Sequence, residues 1–347
     1  MQEAFISLLS CPFQQGSLRL QVIRKTEEIV EGLLWTEAGI FYPIIESIPR
    51  LIPEAIFDYQ EFLREHIPDF DQRLRNLPAS YLEWARRCER KNSRTKKSFS
   101  MEWSIFDYEK DKTWDADSQS MLQRFLKETD MKEDGLQGIR ILDAGCGNGL
   151  LDGLLASKDS MVLAMDLSPA ISEAHKKNSN KNILFVQGDI DFPPIVSSQF
   201  DIVQCSGVLV HTADPKWAFD RMDRCVATGG KLSIWLYHKR KDSIHRLLLG
   251  IRKFTSKWPI RLQYYFYLIS IFPLSFIVKR LKGNPQNARE IMLQILDFFS
   301  PEFRWEFDHN EVMGWFREKG YDGVVITTDE LFGFNLTGLK SVLHKSG

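Results

Sequence analysis

The sequence predicts an α/β protein with a doubly wound, mostly parallel seven-stranded sheet. Three observations support this fold class. Residues 1–55 have the pattern of strands and are rich in turn signals. From residue 138 onward, apolar runs alternate with helical patterns. A long helical pattern at 238–318 separates the last strands from the others. We therefore expect a small β-rich domain at 1–55, a helical linker and cap at 56–130, and the sheet domain at 131–347 with a helical lid insertion at 238–318.

The composition is that of an ordinary globular protein. The 347 residues are 44% hydrophobic and 26% charged, and the formal net charge is −1, so the overall charge does not favour a nucleic-acid partner, which would need a local basic patch. Five scattered cysteines indicate neither a disulfide framework nor a zinc site. The first residues lack a signal-peptide pattern, and we expect a cytoplasmic protein.

The helical region contains one unusual segment. The stretches "AIFDYQEFLREHI" and "SQSMLQRFLKETD" have apolar residues at helical spacing, but residues 86–97 between them, "RRCERKNSRTKK", form a charge run without an apolar stripe. We expect a solvated face or linker there, and a phosphate-binding patch is the alternative.

Five apolar runs predict the parallel strands of the sheet. They are "IRILDAG", "SMVLAMD", "NILFVQGD", "FDIVQCSG" and "GGKLSIWLY", each bounded by turn signals. The final "GYDGVVITTDELFGFNLTGLKSVL" predicts an antiparallel pair at the sheet edge.

A glycine-rich turn follows the first of these strands. Gly145, Gly147 and Gly149 alternate there, and a dinucleotide fingerprint would need a further glycine where Leu150 stands. Asp143 lies two residues before the first glycine, which is unfavourable beside a pyrophosphate. The turn therefore favours a cationic amino-acid ligand over a diphosphate.

The next two strands also end in carboxylates. Asp166 lies about 20 residues beyond the glycines, where an acid accepts hydrogen bonds from ribose hydroxyls. Asp189 is placed to accept from an adenine amine, and Leu167 and Ile190 could enclose the base. Each acid alone could be a helix cap or a turn residue, but successive strand ends favour a shared ligand.

These motifs, in this order, resemble those of class I S-adenosylmethionine-dependent methyltransferases over roughly residues 110–345. The resemblance implies a Rossmann-like methyltransferase fold and S-adenosylmethionine as the cofactor. It assigns the methionine part to Asp143 and the glycine loop, the ribose to Asp166 and the adenine to Asp189. It also implies that Cys146 and Gly188 contact the cofactor and that Cys205 and Ser206 lie beside the sulfonium and the acceptor. It further implies that Phe99 and Trp103 help to cover the cofactor.

A second resemblance concerns the first domain. "LLSCPFQQGSL" and "LLWTEAGIFYPIIESIPRLIP" resemble the small zinc-ribbon-like domain that activates RNA and protein methyltransferases. Metal-bearing members hold zinc with two C-x-x-C pairs, whereas here Cys11 remains, Gln14 replaces its partner, and Trp35 and Ala38 replace the other pair. One thiolate does not make a tetrahedral site, so we expect no metal and packing by Trp35 instead.

Three residues are candidates for acid–base chemistry. His211 follows the fourth strand beside the expected acceptor pocket and could act as a base, although a role in orienting the loop is equally compatible. Tyr237 and His238 end the fifth strand and are expected to face the same mouth, with packing or anchoring of the lid as the alternative.

Within the insertion, residues 262–278 form an uncharged run between Arg261 and Lys279. Because the run is short for a membrane span and Pro273 is expected to break it, we expect a helical hairpin packed as a lid. The alternative is peripheral membrane or lipid contact.

The sequence thus favours a methyltransferase that acts on a small-molecule or glycan-type acceptor, by O- or N-methylation. An RNA methyltransferase and a non-catalytic S-adenosylmethionine-binding subunit are the alternatives, and an oxidoreductase is disfavoured because the dinucleotide fingerprint is incomplete. The acceptor and the oligomeric state stay open.

Overall fold

The computed structural model describes residues 1–105 and 118–341. The N-terminal part is a four-stranded antiparallel sheet in the order β1-β2-β3-β4. Its strands are β1 (Arg19–Lys25), β2 (Ile29–Trp35), β3 (Phe41–Ile45) and β4 (Ile48–Pro49), after a 3₁₀ turn at Glu3–Leu8. The predicted strand-and-turn character of residues 1–55 is confirmed.

This small sheet packs against the edge of the large one. Leu51 donates its backbone N–H to the carbonyl of Gln187 at 2.8 Å, and Ser10 donates to the carbonyl of Pro194 at 3.0 Å. One apolar cluster runs through both parts and includes Tyr42 of the small sheet and Val186 of the large one. The two sheets therefore share a core, and the boundary at residue 55 stays a prediction.

Five helices lie between the two sheets in the part of the chain that the structure describes. They are α1 (Ala55–Asp58), α2 (Gln60–His66), α3 (Phe70–Asn76), α4 (Ala79–Ile105) and α5 (Ser118–Glu128). The charge run at 86–97 lies inside α4, so the expectation of a linker is wrong, whereas the expected solvated face is present in the exposed residues 86, 87, 90, 94 and 97. Asn92, in the middle of the run, is only 2% exposed. The run lacks an apolar stripe because the buried side chains of α4 after Cys88 are polar.

The large sheet has seven strands in the order β10-β11-β9-β8-β5-β6-β7. Strands β5 to β9 run parallel to one another, and β11 pairs antiparallel with both β9 and β10. The predicted α/β fold with its antiparallel edge pair is confirmed. The elements are β5 (Arg140–Ala144), α6 (Leu150–Ala156), β6 (Met161–Asp166), α7 (Ile171–Lys177), β7 (Ile183–Gln187), β8 (Phe200–Ser206), α8 (Pro215–Cys225), β9 (Val226–Tyr237), α9 (Ser243–Thr255), α10 (Ile260–Leu281), α11 (Ala288–Phe299), α12 (His309–Glu318), β10 (Tyr321–Asp329) and β11 (Gly333–Lys340).

The glycine turn lies at the point where the strand order reverses. Strand β5 has β8 on one side and β6 on the other, so the chain leaves the sheet in opposite directions around it. Ligands of open α/β sheets bind at the carboxyl ends of the strands beside such a switch point. The topology therefore places the predicted ligand site directly after β5.

The insertion differs from the predicted hairpin. Helix α10 continues through Pro273, which loses only the hydrogen bond that its missing N–H would donate to the turn before it. Residues on both sides of Pro273, such as Tyr267 and Phe276, belong to one apolar cluster with α11, which holds the helix together. The prediction that Pro273 breaks this segment is wrong.

Candidate active site

The turn after β5 needs glycine at two positions. At Gly145, with φ 93°, a Cβ would lie 2.2 Å from Cγ2 of Val208, and at Gly149, with φ 72°, it would lie 2.9 Å from Cβ of Ala174. The intervening Gly147 donates its N–H to Oδ2 of Asp166 at 3.0 Å. Packing and this hydrogen bond fix the loop against the end of β6.

Three carboxylates surround this loop, and of these Asp143 and Asp152 are buried and Asp166 is half-buried. Asp166 also accepts the N–H of Ser168 at 2.7 Å, and burial raises its pKa. Burial and the neighbouring Asp166 raise the pKa of Asp143 to about 7. Asp152 is fully buried beside Asp143, and burial together with Asp143 raises its pKa well above the usual range. Carboxylates buried in this way favour a cationic ligand.

Helix α4 adds a fourth acid. Glu102 is 2% exposed, and its Oε2 has no hydrogen-bond donor among the residues that the structure describes. Burial, then Asp297 and Asp166, raise its pKa well above the usual value. Glu102 is therefore close enough to interact electrostatically with both Asp166, the predicted ribose carboxylate, and Asp297. Nothing in the sequence analysis identified it.

The polar face of α4 also holds the predicted adenine carboxylate. Asn92 donates its amide to Oδ2 of Asp189 at 2.9 Å and to both oxygens of Glu54 at 3.2 Å. Lys91 lies 3.4 Å from Oδ2 of Asp189, and Lys96 lies 2.8 Å from Oε1 of Glu54. These cations neutralise buried acids of the protein, so they are not a patch open to phosphate.

The other predicted cofactor residues line the same strand ends. A Cβ at Gly188 would lie 2.7 Å from Sδ of Met165, so this turn also needs glycine. The side chain of Trp103 lies outside the described residues. Cys146, Ile190 and Cys205 are buried, and Phe99, Leu167 and Ser206 are half-buried. The contacts of all these residues with a cofactor stay predictions.

His211 is held in one tautomer. It ends a 3₁₀ turn, Leu209–His211, and its Nδ1 lies 2.9 Å from the carbonyl oxygen of Phe303. Because a carbonyl only accepts, Nδ1 carries the proton and Nε2 has the free lone pair. Nε2 is buried without a hydrogen bond from the described residues, 3.7 Å from Oδ1 of Asp297. Burial lowers the pKa of His211, so the imidazole is neutral at neutral pH.

Tyr237 joins the same cluster. Its hydroxyl donates to Oδ2 of Asp297 at 2.7 Å, and burial, then Asp297, raise its pKa well above the usual value. The guanidinium carbon of Arg304 lies 4.0 Å from the centre of the Tyr237 ring. The ring of Phe99 lies 5.6 Å from that of His211. The structure thus brings two predicted residues together around Asp297 of α11, which sequence reasoning missed.

His238 does not join this cluster. Successive side chains of a strand point to opposite faces, and His238 Nε2 lies 2.8 Å from Oδ1 of Asp329. Its ring packs 4.9 Å from that of Phe334 and 5.1 Å from that of His309. The expectation that His238 faces the same mouth as His211 is wrong. His238, His309 and Asp329 offer three ligand atoms within 4.8 Å of one another, close enough for a metal ion.

Comparison with known proteins identifies the central part of the sheet. Residues 142–234 match the methyltransferase domain family. Relatives of this methyltransferase domain include the ubiquinone biosynthesis O-methyltransferases of Coxiella burnetii, 32% identical over 100 residues, and of Xanthomonas oryzae pv. oryzae, 31% identical over 134 residues. The alignments cover 28% and 38% of this chain, and 43% and 56% of the relatives. The chain thus spans about half the length of these relatives.

Solved structures of methyltransferases are also similar. Magnesium protoporphyrin IX methyltransferase from Synechocystis, solved with bound SAH, is 15% identical, with 72% of this chain and 98% of that chain covered and a TM-score of 0.41. The family match supports a methyltransferase domain over residues 142–234 and agrees with the S-adenosylmethionine cofactor predicted from the sequence. It does not include residues 1–55, so the zinc-ribbon-like domain stays a prediction.

The chemistry of the methyltransferase domain fits this cofactor. S-adenosylmethionine carries a sulfonium and an ammonium group, and both are cations. Burial raises the pKa values of the carboxyls of Asp143, Asp166 and Glu102, and a bound cation would favour their ionised forms. We expect these three residues, with the glycine loop, to hold the cofactor.

Proposed function

We propose that this protein transfers the methyl group of S-adenosylmethionine to a hydroxyl oxygen of a small-molecule acceptor, with His211 as the general base. The observation that carries this proposal is the lone pair of His211 Nε2, buried without a hydrogen-bond partner among the described residues and 3.7 Å from Oδ1 of Asp297. The cofactor, when bound, supplies a methyl group on a good leaving group.

The protein's own task is to align the acceptor and to move one proton. A hydroxyl acceptor loses its proton to His211 Nε2 as its oxygen attacks, and general bases of this kind typically contribute about 10²–10⁴-fold to the rate. The nearby carboxylate of Asp297 stabilises the imidazolium that forms. Tyr237 holds that carboxylate in place by its 2.7 Å hydrogen bond. The cluster is buried, which keeps water away from the reaction.

The surroundings of His211 support an apolar acceptor. Phe99 and Tyr237 pack edge-on against its ring, and Trp235 packs against Tyr237 with the ring centres 5.1 Å apart. The curated relatives are O-methyltransferases of ubiquinone biosynthesis, whose name supports oxygen as the acceptor atom. A flat or aromatic hydroxyl compound fits these aromatic walls better than a glycan.

The alternatives make different predictions for one experiment. The protein and methyl-labelled S-adenosylmethionine are incubated in three separate reactions, one with the organic-soluble fraction of a cell extract, one with the water-soluble fraction and one with the RNA fraction. We expect label in a small-molecule fraction together with an equal amount of S-adenosylhomocysteine. Label in RNA would point to an RNA methyltransferase. Calorimetric binding of S-adenosylhomocysteine without transfer to any fraction would point to a non-catalytic subunit.

The Asp166→Ala variant is the control for the cofactor site. It removes the carboxylate that Gly147 and Ser168 anchor, and we expect it to lose both cofactor binding and transfer. Glu173→Gln changes an exposed acid and should leave both unchanged.

A further inference from the structure

We propose that helices α9 and α10 form a docking face for an anionic lipid bilayer. The main observation concerns α10, a 22-residue helix that contains an 18-residue window with a mean hydropathy of 1.3, and only 11% of that window is buried. Six of its large apolar side chains are each more than half exposed, namely Leu262, Tyr265, Ile269, Leu274, Ile277 and Leu281. Exposed apolar surface of this extent is uncommon on a soluble protein and marks an interaction site.

Helix α9 extends the same kind of surface. Ile244, Leu247 and Phe254 are 72%, 65% and 67% exposed, and they are spaced by three and seven residues, so they share one side of the helix. The ring of Phe254 packs 5.4 Å from that of Trp258, which in turn packs 5.2 Å from Phe266 of α10. The two helices are therefore connected by an aromatic chain across their short turn.

The charge of this segment identifies the partner. Residues 243–289 contain nine Lys or Arg and no Asp or Glu, although the whole chain has a net charge of −1. Lys253, Lys257 and Arg261 are exposed around the turn before α10, and Arg280 and Lys282 are exposed at its other end. Apolar side chains between two clusters of cations fit the acyl and headgroup layers of an anionic bilayer.

The packing of α10 indicates that it lies along the bilayer surface and does not span it. Tyr267 is fully buried, donates to Oγ1 of Thr255 at 2.8 Å and packs 5.1 Å from the ring of Phe299. Gln263 is 3% exposed and donates to the carbonyl of Trp258 at 2.8 Å. Spanning would break these contacts. A symmetric pairing of two copies would bring like-charged clusters together, which a lipid surface avoids.

The docking face lies one helix away from the acceptor site. Helix α11 packs against α10 through Phe299, and two residues earlier the same helix contributes Asp297 to the His211 cluster. This part of the inference rests on the proposed function: the acceptor is then a hydroxyl compound dissolved in the bilayer. Docking would place the acceptor side of the enzyme against the bilayer that contains this compound.

Vesicle flotation tests the docking face directly. The full chain is mixed with vesicles of phosphatidylcholine containing roughly one third phosphatidylglycerol, and with vesicles of phosphatidylcholine alone. We expect flotation with the anionic vesicles, at least about tenfold less with the neutral ones, and loss of binding at high salt because the cations are screened.

Matched variants locate the contact. Ile269→Glu with Leu281→Glu places charge on the docking face and should reduce flotation at least about tenfold. Leu331→Glu makes the same change at a 71% exposed leucine in the β10–β11 link and should float like the wild type. Calorimetry with S-adenosylhomocysteine on each variant should show unchanged affinity, which establishes that the fold is intact.

Other outcomes would overturn the inference. A wild type that stays at the bottom of the gradient, or a double variant that floats normally, contradicts it. A wild-type dimer in light scattering that the double variant dissociates, without vesicle binding, would show that a second copy covers this face. Vesicle binding without methyl transfer would contradict the proposed function alone.

Discussion

His211 Nε2 lies 3.7 Å from Oδ1 of Asp297, and the two side chains come from elements more than 80 residues apart in the chain. The backbone carbonyl of Phe303 fixes the tautomer on one side, and the carboxylate faces the free nitrogen on the other. A buried imidazole with this pair of neighbours can accept a proton and be stabilised once it is charged. The predictions below follow from this cluster and from the buried acids around the glycine loop.

Replacement of Asp297 by Asn should change the pH dependence of the reaction. The carboxylate raises the pKa of His211 against the larger effect of burial, so its loss lowers that pKa further. The base is active when neutral, and activity is lost as the pH falls through its pKa. We expect a fall in kcat of about tenfold or more and an acidic limb moved to lower pH. A profile with an unmoved limb would contradict the role assigned to Asp297. Asp322→Asn makes the same change at an exposed residue of β10 and serves as the control.

Binding of S-adenosylmethionine should become tighter as the pH rises through about 7. Asp143 has a pKa of about 7 in the free protein, and a bound cation favours its ionised form, so binding releases a proton. S-adenosylhomocysteine lacks the sulfonium charge and should show a weaker dependence. Calorimetry with both ligands, in two buffers of different ionisation enthalpy, measures this proton release. Equal pH dependence for the two ligands would contradict it.

Asn92→Ala should destabilise the fold. The amide donates to Glu54 and Asp189, and its loss leaves two buried carboxylates with fewer donors. We expect the free energy of unfolding to fall by about 1–3 kcal/mol. Arg90→Ala changes an exposed residue of the same helix and should stay within about 0.5 kcal/mol. Urea denaturation measures the free energy of unfolding of both variants. Equal values would mean that the hydrogen bonds of Asn92 do not stabilise the fold.

His238→Ala should leave methyl transfer within about twofold of the wild type. The residue bonds to Asp329 and packs on Phe334, and it does not contact the His211 cluster among the described contacts. Initial rates at saturating cofactor measure the effect on methyl transfer, and a large fall in rate would show that His238 takes part in the reaction. Dialysis against a chelator should also leave S-adenosylhomocysteine binding unchanged, because no metal is expected to take part.

Local sequence patterns predicted most of the sheet and the cofactor side of the site. Apolar runs specify buried strands, and Gly145 and Gly149 stand where packing leaves no room for a Cβ. Asp143 and Asp166 were predicted because each ends a strand, and the ends of parallel strands meet at one edge of the sheet.

The missed residues lie on helices that reach the site only through tertiary packing. Glu102 and Asn92 belong to the second half of α4, where the buried side chains are polar, so hydrophobic periodicity could not orient that part of the helix. Asp297 had a weak signal as the single acid in the apolar run "IMLQILDFF". Its pairing with His211 depends on how α11 packs, which local pattern does not encode. The prediction that Pro273 breaks α10 was wrong because packing against α11 outweighs one lost hydrogen bond.

The most direct test compares wild type and His211→Ala in a single-turnover assay with methyl-labelled S-adenosylmethionine and the accepting fraction. S-adenosylhomocysteine affinity is measured on the same samples. We predict labelled product from the wild type, a rate roughly 10²–10⁴-fold lower in the variant, and equal affinities. A variant that transfers methyl groups at the wild-type rate would contradict the assignment of His211 as the base.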